Sequence, residues 1–302
     1  MLDILIKAAC YIAIILLGIL LRAVGFFKEE DFPVLSKIVV RITLPAAIIS
    51  AAAGREIDPS LLSLALLGFG GGVIYMVLGY LVYNHEGKAG RAFGLLNLPG
   101  YNIGTFALPF TQSFLGATGI LATGLFDVGN AFICLGGAFG VATTIKAGNG
   151  FDVKRVVKAL SRSVPFLAYI ITVTMNLARI PIPGFIAECA RIIAGGNAFL
   201  AMLMIGVGFK LNLRKEQLGL IGKMLLTRYS VATILALAYY FLLPFDLEVR
   251  QTLVILSFAP IGSAVPGFTS ELGGDVGLSC SINSMAILIS IVIIVALLVV
   301  ML

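Results

Sequence analysis

Charge is what this chain has least of. Of its 302 residues only 12% are charged and 60% are hydrophobic, a balance far too apolar for a soluble protein, and the chain reads as an integral membrane protein. Groups for catalysis are as scarce. The one histidine, His85, falls in a polar connection, so a serine nucleophile would have no base inside the membrane. A single acid, Asp127, can be placed deep in an apolar segment, whereas an intramembrane aspartyl protease needs two carboxylates that share a proton. The chain is therefore read as a non-enzyme. Cys10, Cys134, Cys189 and Cys280 lie in apolar segments with no close pair and no metal-ligand spacing, so they are small packing residues. No metal or cofactor is expected.

What is abundant is apolar length. Stretches able to cross a bilayer, about 20 residues each, fall at 2–22, 34–53, 60–83, 92–113, 117–145, 162–179, 185–208, 218–243, 249–270 and 277–301, which makes ten spans. The first begins at Met1 with no small-residue cleavage pattern after it, and is read as a retained span. The net charge of +6 would suggest nucleic acid for a soluble protein, but here its distribution sets topology. Sixteen of the 21 basic residues share one side of the membrane, Arg22, Lys37, Lys146, Lys210, Arg214 and Arg228 among them, while Lys7, Arg55, Arg179, Arg191 and Arg250 take the other. The richer side is cytoplasmic by the positive-inside bias. The expectation is a multi-pass protein of the cell membrane with both termini extracytoplasmic, in contact with lipid and not nucleic acid; homodimerisation is left open.

Five spans is an odd number, so a second group of five enters the membrane the other way up. The chain then divides into a first five-helix repeat over 1–146, a basic cytoplasmic linker over 147–161 and an inverted second repeat over 162–302. Two apolar segments are interrupted at matching points in these halves. Asn102-Ile103-Gly104-Thr105 in the fourth span aligns with Pro260-Ile261-Gly262-Ser263 in the ninth, and Phe110-Thr111 with Phe268-Thr269, with Pro109 and Pro266 one place out of register. A helix broken at membrane depth frees backbone N–H and C=O groups, which is tolerable where they line a protein-enclosed cavity. Paired breaks of this kind point to a transporter's binding site.

Asn102, Thr105 and Ser263 are short polar side chains at the breaks and are assigned to substrate binding. Gly104 and Gly262 sit where the backbone leaves helical geometry. Pro109, Pro260 and Pro266 are expected to enforce the interruptions. Helix N-termini there could hold a carboxylate without a full basic charge. Asp127, with Asn130 on the same helical face and Asn283 at the corresponding place in the tenth span, is assigned to coupling, because an ionisable group at membrane depth is functional by default. Glycines inside spans, such as Gly68 and Gly206, are packing residues. Lys37 and Arg41 snorkel toward headgroups, Glu188 and Arg191 form a surface pair, and Glu271 lies at the inner end of the ninth span.

These residues resemble the auxin efflux carrier family of membrane transporters, within the wider superfamily that includes the bile-acid carriers. The resemblance covers nearly the whole chain. It rests on Leu17-Gly18 through Gly25, Leu35-Ser36-Lys37 and Leu44-Pro45, on Asn102-Ile103-Gly104 with Pro109, and on Pro260 to Pro266 followed by Glu271. It implies an all-α membrane protein of ten transmembrane helices as two inverted five-helix repeats, with broken helices four and nine crossing around a carboxylate site. A scaffold of spans one, two, six and seven is implied beside them. Asn102 would contact the anion. The chain departs from the family in having Asn197-Ala198-Phe199 where a proline is common, and in offering Ser263 with no asparagine in the second break. The function implied is a secondary transporter of small organic anions such as malate, malonate or auxin-like acids; Asp127 either couples transport to a proton or braces the crossing. The alternative is a sodium-coupled symporter like the bile-acid carriers.

Overall fold

The computed structural model describes residues 2–148, 150–209 and 215–302, whose regular structure is all helical, with no strand among them. Lys210 and Arg214 of the cytoplasmic group lie outside the described residues, as does Asn149 of the linker. In chain order the helices are α1 (Leu2–Ala23), α2 (Phe32–Ala52), α3 (Pro59–Val82), α4 (Gly87–Asn97), α5 (Leu108–Phe114), α6 (Gly116–Ala147), α7 (Val153–Arg162), α8 (Val164–Leu177), α9 (Gly184–Gly208), α10 (Leu218–Leu242), α11 (Leu247–Ser257), α12 (Val265–Glu271) and α13 (Val276–Met301). Seven are long and apolar enough to cross a membrane, or eight if α7 and α8, bent by 76° at Ser163, count as one span. The fourth and ninth expected spans are each two short helices, α4 with α5 and α11 with α12, because a stretch of non-helical backbone interrupts each. Large apolar side chains on the perimeter, such as Leu66, Phe241 and Val292, are exposed, as a lipid-facing surface requires.

Two groups of helices emerge from the packing. In one, α1 lies along the second half of α9, and α2 packs against α8 and α9. In the other, α3 lies along α6, α4 sits between them, and α10, α11 and α13 close the bundle. Small residues set both approaches, as in close helix pairs in membranes. A Cβ at Gly206 would lie 2.1 Å from the Ile15 carbonyl oxygen, and one at Gly129 only 1.8 Å from that of Ala65. Gly68 answers from α3, where a Cβ would meet the Phe126 carbonyl at 2.0 Å. Asp127 therefore rides on a stretch of α6 held backbone to backbone against α3.

Polar caps start the helices on the basic side. Asp152, Ser163 and Asp275 accept the backbone N–H of Arg155, Phe166 and Leu278, at 3.0, 3.4 and 2.9 Å, which satisfies donors a helix start leaves free. The linker helix α7 is docked as well as capped. Arg155 forms two hydrogen bonds with Glu271 at the end of α12, at 2.8 and 2.7 Å, and its guanidinium lies 4.2 Å from the Phe139 ring centroid. Those bonds hold the Glu271 carboxyl below its ordinary pKa and raise that of Arg155. Glu188 and Arg191 pair on the surface as expected.

Candidate functional site: two helix breaks joined at a buried arginine

Helix α4 ends at Asn97, and residues 98–102 are non-helical until a π-turn at Ile103–Ala107 leads into α5. Helix α11 ends at Ser257, and α12 begins at Val265. The two breaks touch. The Asn102 N–H donates to the Pro260 carbonyl at 2.8 Å, so each break satisfies part of what the other leaves open. Pro260 sits in its break, but Pro109 and Pro266 do not: Pro266 occupies the first turn of α12, where a missing N–H breaks no helical bond, and Pro109 lies inside the helical run 103–114, just after the π-turn. The non-helical stretches lie upstream of both prolines. Gly100 has φ +80°, and a Cβ there would approach the Cys134 sulfur to 2.6 Å, so conformation and space both require glycine.

Asn130 mends the first break. Its Oδ1 accepts the Tyr101 N–H at 3.0 Å, and its amide donates to the Tyr101 carbonyl at 2.9 Å and to Asp127 Oδ1 at 2.8 Å. A side-chain amide thus replaces the helical bonds that Tyr101 lacks. Thr105 donates to Asn102 Oδ1 at 2.5 Å, which leaves the amide hydrogens of Asn102 to offer a ligand.

Arg228, counted above on the cytoplasmic side, is instead 1% exposed and holds the other face of the crossing. Its guanidinium donates to the carbonyls of Leu98 at 2.6 Å, Gly100 at 2.9 Å and Ala259 at 2.7 Å. Those carbonyls lie at the C-terminal ends of α4 and α11, where the helix dipole is negative and a cation is favoured. The rings of Tyr75 and Tyr101 flank it, with centroids 5.0 and 5.5 Å away, in cation–π range. No carboxylate pairs with it among the described residues. A charge in the middle of an apolar segment was the available signal, since Arg228 lies ten residues into the span expected at 218–243. That is about 15 Å along the helix, too deep for a basic side chain that only fixes topology.

The assigned residues fall around two cavities. One, of about 160 Å³, is lined by Asn102, Gly104, Thr105, Asp127, Asn130, Gly262 and Ser263, with Cys134, Phe166 and Tyr169. The other, of about 320 Å³, is lined by Ser263, Pro266 and Asn283 with Arg22, Ser284 and Ile287. Asn283 is thus not gathered with Asp127 and Asn130; only Ser263 belongs to both chambers. Sequence reasoning missed Tyr169, Cys134 and Asn197. Asn197 is fully buried, accepts from Thr43 at 2.9 Å and donates to Gln112 at 3.1 Å. It ties α2 and α5 to α9 where the glycine pair Gly195-Gly196 divides that helix. On the same side Tyr11 hydrogen-bonds Ser113 and, at 3.3 Å, the Pro109 carbonyl. The basic side carries its own buried knot, in which Asn97 bonds Thr269 at 3.2 Å and Ser279 at 2.5 Å, linking α4, α12 and α13.

No protein-family model matches the chain. The chain is similar to an uncharacterized transporter of Methanothermobacter thermautotrophicus (strain Delta H), with 24% identity over 209 residues, 67% of this chain and 66% of that protein. The likeness joins the apolar helices in identifying a multi-pass membrane protein with a transporter among its relatives.

Proposed function

We propose that the protein is a secondary transporter that moves small organic anions, carboxylates in particular, across the cell membrane by alternating access. The observation that carries this reading is the 2.8 Å bond between two helix breaks beside a polar cavity. Asn102, Thr105 and Ser263 bind the anion, with Gly104, Gly262 and the three prolines shaping the crossing. Asp127, braced by Asn130, is the group available to couple transport to a proton. The fold is ten helices in two inverted repeats, 1–146 and 162–302, joined on the cytoplasmic side by 147–161, with both termini outside. Support comes from the break in the second-to-last apolar segment of each half, from the resemblance to auxin efflux carriers, and from the packing of α1 on α9 and of α2 on α8 and α9, which suits a scaffold against which the crossing helices move.

Uptake of radiolabelled dicarboxylates and aromatic acids into proteoliposomes tests the reading, and no uptake across a broad panel defeats it. A sodium-coupled variant draws on one further observation. Asn283 Oδ1 is buried with no hydrogen-bond donor, an acceptor open to a small cation. Uptake that is indifferent to sodium removes that variant.

A further inference from the structure

The smaller cavity is electrically lopsided. Asn102 lines it, with its backbone opening the helical run 103–114 and its amide hydrogens not used by Thr105. First-turn N–H groups and an amide donor suit a carboxylate there. Asp127 lines the same space, with only Oδ1 held, by Asn130. No basic side chain lines it. Arg228 lies behind the break and outside the cavity lining, its two terminal nitrogens bonded to three carbonyls and its Nε without a partner. A second, independent feature is Tyr169 of α8. It is 4% exposed, lines the cavity, and its hydroxyl has no hydrogen-bond partner, a costly state for a buried polar group. Its ring rests on Gly124, where a Cβ would meet it at 1.9 Å. Gly124 is one turn before Asp127 on α6, so the Tyr169 ring packs on the same face of α6 as Asp127, one turn away.

Resting on the carboxylate reading above, we propose that the occupant is an asymmetric monoanion: one ionised carboxylate beside Asn102 and Thr105, and a second, neutral group that donates a hydrogen bond to Asp127 and engages the Tyr169 hydroxyl. Amide, hydroxy and N–H-bearing acids belong to this class. A symmetric dianion does not, because its second carboxylate would face Asp127 with no cation between them.

Malonate and malonamate test the proposal as a near-isosteric pair, since the second carries an amide in place of one carboxylate. Binding of each to the purified full-length protein is measured by calorimetry at about pH 8, where both carboxylates of malonate are ionised. Wild type is expected to bind malonamate about tenfold or more tighter than malonate, and Asp127→Asn to shrink that ratio to about threefold or less. Tyr169→Phe is expected to weaken malonamate about fivefold. A wild-type preference for malonate overturns the proposal without recourse to any variant, and so does a ratio that a folded Asp127→Asn leaves unchanged. If wild type binds neither, nor any other carboxylate offered, the carboxylate reading itself falls.

Discussion

Replacing Arg228 with methionine tests the account of how the crossing is held. The substitution keeps much of the aliphatic volume and removes the donors that reach Leu98, Gly100 and Ala259. A buried acceptor left unpaired costs about 1–3 kcal/mol, so three orphaned carbonyls amount to roughly 3–9 kcal/mol before relaxation. The lost cation–π contacts with Tyr75 and Tyr101 add about 1–2 kcal/mol at a desolvated site. Against this runs relief from burying a charge without a counter-ion, which leaves the lower half of the range, about 3–5 kcal/mol. With four free cysteines in the chain, unfolding can be followed with a thiol-reactive dye. At about 2–4 °C per kcal/mol for a chain of this size the melting temperature should fall by roughly 6 °C or more. Arg228→Lys should recover only part of the loss, because an ammonium lacks the planar fork that spans carbonyls from two helices. A methionine variant that melts within about 2 °C of wild type would refute the reasoning, since the three carbonyls would then have found partners elsewhere.

Two further outcomes follow from the same geometry. Gly100→Ala forces a side chain into φ +80° and against the Cys134 sulfur, and should lower stability by about 1–3 kcal/mol; pairing it with Cys134→Ala should return the steric part of the loss and leave the backbone part, as melting curves of the double variant would report. The Arg155–Glu271 bridge is partly exposed, so Glu271→Gln at neutral pH should cost no more than about 1 kcal/mol. Because the folded carboxyl titrates below its unfolded value, the bridge's contribution is fully present above the unfolded pKa of about 4.3 and is lost as pH falls through the folded pKa. The two proteins should therefore melt alike in strong acid, and a difference that persists there would show that Glu271 acts through something other than its charge.

Local features of the sequence determined much of this protein. Hydropathy places the membrane helices, because an apolar run of sufficient length has few other places to go. The two breaks are legible because glycine and proline act on their own backbone, and the non-helical stretches at 98–102 and 258–264 fall beside Asn102 and Pro260. Asn130 was found through its spacing from Asp127. What hydropathy and spacing do not encode is which face of each helix meets which neighbour when two interrupted helices cross. Only the tertiary structure set Arg228 against carbonyls from α4 and α11, turning a charge that had been assigned to topology into the residue that joins them. It also separated Asn283 from Asp127, brought Tyr169 from α8 to the cavity wall, and put Asn197 between α2 and α5. Each of these depends on contacts between separate helices, from 31 positions apart for Arg228 and Ala259 to 154 for Thr43 and Asn197, and no local pattern carries that information.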